Sequence, residues 1–124
     1  MRIFLNKWFR RFALKEAISD VSLCDAVQRA ARGLVDADLG GGVIKQRIAR
    51  QGEGRSSGFR TVVIYAAGDR AFFVFGYAKS DRENITKEEL KGFRELAKQM
   101  LNYDVEQLES AVRNETLSEV NCHE

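Results

Sequence analysis

The pattern of apolar and polar residues predicts a strand and two helices in the first third of the chain. MRIFLN predicts a short strand, and Asn6 is placed to cap the helix that follows. The apolar face of that helix has helical spacing and consists of Trp8, Phe9, Phe12, Ala13 and Ala17. A second helix is predicted from Ser22, and DADLGGG (residues 36–42) should end it, because glycine terminates helices readily.

The middle and last thirds predict strands and then helices. Strands are expected at 43–49, 59–66 and 71–78, and the last two are joined by a link short enough for an antiparallel hairpin. Thr86 and Glu89 form a capping box for a helix, and another helix follows from Asp104 to about Asn114, before LSEV. The predicted fold class is α+β, a mainly antiparallel sheet with two N-terminal helices and a C-terminal helix packed on it.

Charge is distributed unevenly along the 124 residues, whose formal net charge is +2. Residues 103–124 contain six acids and one base, so they carry −5 and residues 1–102 carry +7. We interpret 1–102 as the main domain and 103–124 as an acidic helix and tail belonging to it. Residues 44–60, IKQRIARQGEGRSSGFR, hold one acid, Glu53, and five cations: Lys45, Arg47, Arg50, Arg55 and Arg60. Cations concentrated on neighbouring strands are typical of a surface that binds a polyanion.

Several kinds of site are excluded by the residues present. His123 is the sole histidine and lies next to the end of the chain, which argues against Ser-His-Asp catalysis and against a zinc site. The glycines match neither the dinucleotide nor the P-loop pattern, so no cofactor and no metal are expected. No apolar run approaches a membrane span, so no membrane partner is expected. Cys24 and Cys122 form no CxxC pair, and we expect no disulfide and a reducing cytoplasm.

The remaining candidates are cations and one tyrosine on the predicted strands. Lys45 and Arg47 share a face by strand alternation, and Arg60 begins the adjacent strand. Tyr77, Lys79 and Arg82 end the central strand and begin its loop, so all six could converge at one end of the sheet. The alternative is a basic surface that serves solubility, with Tyr77 partly in the core.

These segments resemble the RelE/ParE superfamily of bacterial toxins, and within it the HigB/RelE-like branch of type II toxin–antitoxin systems. The resemblance is carried by GGVIKQRIARQGEGRSSGFRTVVIY, by GDRAFFVFGYAKSDRENIT and by KEELKGFRELAKQML. SSGFR is similar to the SSGYR strand of RelE-like ribonucleases. The resemblance implies a RelE-like fold and a toxin that cleaves mRNA on the ribosome without metal. In that family the 2′-hydroxyl attacks the adjacent phosphate and leaves a 2′,3′-cyclic phosphate.

The resemblance also implies roles for individual residues. Arg60 matches the arginine of SSGYR and would hold the scissile phosphate. Lys45 and Arg47 lie where the family has a basic pair, and Lys45 is the better base because arginine stays protonated. Arg82 and Lys79 would stabilise developing charge. Arg50, Arg55 and Tyr77 are expected to bind substrate. An alternative for Arg60 is a salt bridge to Glu53 or Asp69.

One departure leaves the identities of the general base and acid open. RelE ribonucleases carry a tyrosine a few residues beyond the position of Arg82, where this chain reads ENITKE. Two other functions therefore stay open, a ParE-like gyrase inhibitor and a non-catalytic nucleic-acid-binding module. The expected partners are mRNA on the ribosome and a small helix-turn-helix antitoxin encoded next door, with an acidic segment covering the basic face.

Overall fold

The computed structural model describes residues 1–50 and 58–122. The helices and strands of these residues, in chain order, are β1 (Arg2–Asn6), α1 (Lys7–Lys15), α2 (Asp20–Ala31), β2 (Ala37–Gly40), β3 (Val43–Ile48), β4 (Phe59–Ala66), β5 (Arg70–Ala78), α3 (Lys87–Met100), α4 (Val105–Arg113) and β6 (Leu117–Val120).

The strands form one six-stranded sheet in the order β2-β3-β4-β5-β1-β6. β1 runs parallel to β5, and the other neighbouring strands are antiparallel. Apolar residues of α1 and α2 cover one face of the sheet, and those of α3 and α4 cover the other. The predicted α+β class, with a mainly antiparallel sheet and helices packed on it, is therefore confirmed.

Local capping residues explain where the helices begin. The Asn6 side chain accepts a hydrogen bond from the Phe9 backbone N–H at 2.8 Å, which starts α1 where predicted. Thr86 and Glu89 form the predicted capping box of α3. The predicted start of the second helix at Ser22 is two residues late, because Ser19 is the residue that caps α2.

The prediction that residues 36–42 end the second helix is wrong, because they lie beyond it and include a strand. α2 already ends at Ala31, and Ala37–Gly40 forms β2, which pairs with β3. Gly40, Gly41 and Gly42 all have positive φ and make the turn between the two strands. At Gly42 (φ +84°) a Cβ would lie 2.6 Å from a Leu101 methyl group, so a larger residue would collide with the end of α3.

The C-terminal segment LSEV forms the edge strand β6, which pairs with β1. Its Glu119 carboxylate accepts two hydrogen bonds from the Arg2 guanidinium, at 2.8 and 2.9 Å. None of the helices in the described part of the chain is long and apolar enough to cross a bilayer.

The prediction that the cysteines stay unpaired is wrong. Cys24 on α2 and Cys122, two residues after β6, form a disulfide with a Cα–Cα distance of 5.8 Å. Sequence reasoning placed Cys122 in a tail, but β6 joins the sheet, and Val120 packs in the same core as Cys24. The inference of a reducing compartment from unpaired cysteines therefore loses its premise.

The disulfide joins residues 98 positions apart, so it should contribute strongly to stability. Replacing Cys24 with Ser should lower the free energy of unfolding by about 2–5 kcal/mol, because the unfolded chain is no longer restrained by a long closed loop. The measurement is urea unfolding of both proteins with and without a dithiol reductant. Reductant should shift only the wild-type midpoint. Equal midpoints under oxidising conditions would contradict the expectation.

Candidate functional site

Two arginines and a tyrosine stand side by side across the three middle strands of the basic region. Arg47 on β3 lies opposite Arg60 on β4, and Arg60 lies opposite Tyr77 on β5. Directly opposed residues on neighbouring antiparallel strands project from the same face, with Cβ atoms about 4.5–5.5 Å apart. We call these three residues the cross-strand row. It places two like charges opposite each other, an arrangement that by itself destabilises the strand pairing.

Lys45 extends the row on the same face, two residues before Arg47. Its side chain is half-buried, and its Nζ donates a hydrogen bond to Asn84 Oδ1 at 2.9 Å. Partial burial, followed by the nearby positive charges of Arg60 and Arg47, lowers the pKa of the Lys45 ammonium. The Lys45 side chain therefore loses its proton at a lower pH than the side chain of an ordinary surface lysine does.

The position of α3 explains why this sheet face opens to solvent along β3. Val43 and Val62 lie on the same face and are buried against Ala97 and Met100 of α3. Further along β3 the exposure rises, from buried Val43 to half-buried Lys45 and exposed Arg47. The loop between β5 and α3 borders the opening and supplies Asn84. Lys45 and Arg47 thus lie beside, rather than beneath, α3, whereas Arg60 is buried.

Arg82 approaches the row from that loop but is already engaged. Its guanidinium forms a two-pronged ion pair with the Glu89 carboxylate and donates from Nε to the Asn84 carbonyl at 3.0 Å. The guanidinium also lies over the Tyr77 ring, with 5.2 Å from Cζ to the ring centroid. The hydrogen bonds between the two side chains raise the pKa of Arg82 and lower the pKa of Glu89.

Tyr77 is the neutral member of the row. Its side chain is buried, and its hydroxyl lies 3.5 Å from the Glu83 carbonyl oxygen. Burial raises the pKa of the phenol, although the charges of Arg82 and Arg60 oppose that shift. At neutral pH Tyr77 is therefore protonated and able to donate a hydrogen bond.

Comparison with known proteins assigns the chain to a family. A family model described as "RelE toxin of RelE / RelB toxin-antitoxin system" matches residues 1–120. The chain belongs to the RelE toxin family. No curated protein matches it. Membership supports a toxin of a toxin–antitoxin system, and it implies an antitoxin as partner.

The other predicted site residues of this RelE-family toxin lie at different places. Lys79 directly follows β5 and is exposed, and its backbone N–H donates to the Gly58 carbonyl. Arg50 lies over the Phe59 ring on the sheet face covered by α1 and α2, with its guanidinium 3.9 Å from Glu16, so the structure does not bring it to the row. Arg55 lies outside the described residues.

Asp69, one of the two alternative salt-bridge partners considered for Arg60, does not pair with it in this toxin. Arg60 lies near the beginning of β4, whereas Asp69 belongs to the turn at the opposite end of the β4–β5 hairpin, where it pairs with Arg70 at 3.0 Å. Glu53 lies outside the described residues. The Arg60 residue is only 7% exposed.

Sequence reasoning missed residues that support the RelE-family site. Asn84 and Glu89 contact Lys45 and Arg82 on the open face. Three others support β3: Arg29 and Asp36 contact its backbone at Arg47, and Gln46 belongs to β3 and contacts α2. Gln46 had a detectable signal, because it interrupts the apolar alternation of Ile44 and Ile48 and is 1% exposed. A buried amide at a core position of a strand normally has specific hydrogen-bond partners.

Proposed function

We propose that this RelE-family toxin is an endoribonuclease that cleaves mRNA on the ribosome without a metal ion, and that it belongs to the HigB/RelE-like branch. The observation that supports the proposal is the crowding of Lys45, Arg47 and Arg60 on one sheet face, where Arg47 is exposed and Lys45 is half-buried. A surface of this kind suits the phosphate backbone of RNA. Ribosome-bound mRNA as substrate would place its action in the cytoplasm.

Arg60 is the residue proposed to hold the scissile phosphate. Attack of a ribose 2′-hydroxyl on the neighbouring phosphate forms a crowded phosphorane with two negative charges. A planar guanidinium donates two parallel hydrogen bonds to phosphate oxygens. Because β4 and the neighbouring strands fix Arg60 in advance, little reorganisation is needed as that charge develops.

Lys45 is proposed as the general base that removes the 2′-hydroxyl proton. A general base works best when its pKa lies near the working pH, and the lowered pKa of Lys45 moves it in that direction. Arg47 adds positive charge beside it. The hydrogen bond to Asn84 gives the amine a defined orientation in the absence of substrate.

Arg82, Lys79 and Tyr77 are proposed to act at the rim of the site. Arg82 would contact the substrate from its place over Tyr77, with Glu89 fixing its orientation. Lys79 would stabilise the 5′-oxygen as it leaves, and the protonated Tyr77 would donate to a phosphate oxygen. Lysine and tyrosine side chains can both fulfil these roles without a cofactor.

The antitoxin is proposed to be a small helix-turn-helix protein encoded by the neighbouring gene. An acidic segment of it would cover the cross-strand row and Lys45, because residues 1–102 carry +7. Pairing of opposite charges would speed association and would weaken as salt increases.

The ribonuclease proposal predicts that replacing Arg60 with Ala lowers mRNA cleavage by about a hundredfold, because one preorganised donor to the transition state is lost. Arg60→Lys should restore activity only in part, since an ammonium cannot provide the two-pronged contact. The measurement is primer extension on cellular RNA after brief induction, together with the melting temperature and copurification with the antitoxin.

Arg70→Ala is the matched control, because it removes a mostly buried arginine from the far end of the same hairpin. It should lose stability and keep cleavage, whereas Arg60→Ala should lose cleavage and keep antitoxin binding. Full cleavage by Arg60→Ala would contradict the role of Arg60. A DNA damage response without RNA cuts would favour a gyrase inhibitor. Growth unaffected by the wild type would favour a non-catalytic module.

The base role of Lys45 predicts a characteristic pH dependence. Below its lowered pKa the ammonium dominates and cannot accept a proton, so the log of the cleavage rate should rise with pH with a slope of about one and then level off. Lys45→Arg keeps the charge but should be slow and should lack this rise, because arginine stays protonated. The measurement is single-turnover cleavage of mRNA on programmed ribosomes.

Lys98→Arg provides the control for that series, because Lys98 is an exposed lysine on α3 paired with Glu95. Its pH profile should match the wild type. If the cleavage rate of Lys45→Arg rises with pH as that of the wild type does, the general base is another group.

A further inference from the structure

The main-chain groups of Arg47 are held by side chains rather than by a neighbouring strand. Thr61 Oγ1 donates to the Gln46 carbonyl at 2.8 Å, so the backbone of Gln46 faces β4. Because successive residues of a strand point their N–H and C=O groups to opposite sides, those of Arg47 face away from β4. Arg47 and Arg60 therefore form a close pair without backbone hydrogen bonds between them, although their side chains repel each other.

β2 does not reach Arg47 on the outer side of β3. Among the described residues, the β2–β3 pairing begins with Ala37 opposite Lys45. Instead, the Asp36 carboxylate accepts a hydrogen bond from the Arg47 N–H at 2.7 Å, and an Arg29 guanidinium N–H donates to the Arg47 carbonyl. Both main-chain groups of Arg47 are thus satisfied by side chains.

Arg29 and Asp36 are in turn fixed by their surroundings. Arg29 is 7% exposed, and its guanidinium lies 3.5 Å from the Asp36 carboxylate and 3.0 Å from that of Asp25. The Asp36 backbone N–H donates to Gln46 Oε1 at 2.8 Å. Gln46 Nε2 donates to the Ala26 carbonyl of α2 at 2.9 Å. This network connects α2 to the back of the strand that carries Lys45 and Arg47.

We propose that Arg29 and Asp36 are positioning residues, which hold the Arg47 main chain beside Arg60 so that the cations are in place for RNA cleavage. In this role both residues act through the Arg47 main chain, which they contact directly. The inference rests on the proposed ribonuclease function, because it assigns to the network a role in catalysis rather than in stability alone. Small displacements of a positioned group can cost roughly a hundredfold in rate.

The deciding variant is Asp36→Ala, which removes the acceptor for the Arg47 N–H while every cation stays in the chain. We expect faster amide hydrogen exchange at Arg47, and single-turnover cleavage on programmed ribosomes that is about ten- to a hundredfold slower. The concentration of ribosomes at half-maximal rate should change little, because binding depends on the charges. Asp36→Asn keeps an acceptor oxygen and should restore most of the rate.

Asp25→Ala is the matched control, because Asp25 pairs with the same Arg29 guanidinium but does not contact Arg47. It should leave both the exchange rate and cleavage close to those of the wild type. The inference is overturned if Asp36→Ala cleaves like the wild type, if its Arg47 amide exchanges no faster, or if Asp25→Ala loses as much activity. The inference is also overturned if Asp36→Ala loses its fold and Asp36→Asn does not regain cleavage.

Failure of the proposed function would look different. In that case wild-type toxin would make no cuts on ribosomes, while amide exchange would still report whether Asp36 holds the Arg47 main chain. If the wild type cleaves normally but the Arg47 amide exchanges no faster in Asp36→Ala, the positioning role is refuted and the ribonuclease proposal stands.

Discussion

Repulsion among Lys45, Arg47 and Arg60 is the constraint on which the rest of this site depends. Three cations share one end of a sheet face. Partial burial lowers the pKa of Lys45 most, and the charges of Arg60 and Arg47 lower it further. Like charges directly opposite each other on antiparallel strands destabilise the pairing by an amount comparable to that of a favourable cross-strand pair, roughly 0.2–1 kcal/mol. A fold that keeps this arrangement must hold the strands together by other contacts.

Contacts on the other face of the sheet help to hold the strands that carry these cations in place. β4 and β5 are covered on both faces by apolar residues, which gives Arg60 and Tyr77 a rigid base. β3 lies nearer the sheet edge and receives additional polar support from α2 through Gln46 and Arg29. On the open face, Glu89 neutralises Arg82 rather than the cross-strand row. The charge of the loop arginine beside the row is thereby balanced within the loop and α3.

Much of the fold followed from local patterns, whereas the supporting contacts did not. β4, β5 and the start of α3 were predictable because alternation, a short turn and a capping box act within a few residues of sequence. β2 was missed because a four-residue strand among glycines has too weak a pattern. The Cys24–Cys122 bond depends on β6 reaching the sheet, which no local pattern encodes. Arg29 resembles an ordinary helix residue until the fold places it behind Arg47.

α2 connects two of these non-local features. Cys24 bonds it to the segment after β6, and Ala26 and Arg29 join it to β3, although β3 and β6 lie on opposite sides of the sheet order. α2 is thereby bonded to the last part of the chain and hydrogen-bonded to the strand that carries two of the three cations. Since buried contacts between rigid elements transmit displacements, the placement of α2 bears directly on Arg47. The geometry of the basic face is thus determined as much by the helix behind the sheet as by the strands that display it.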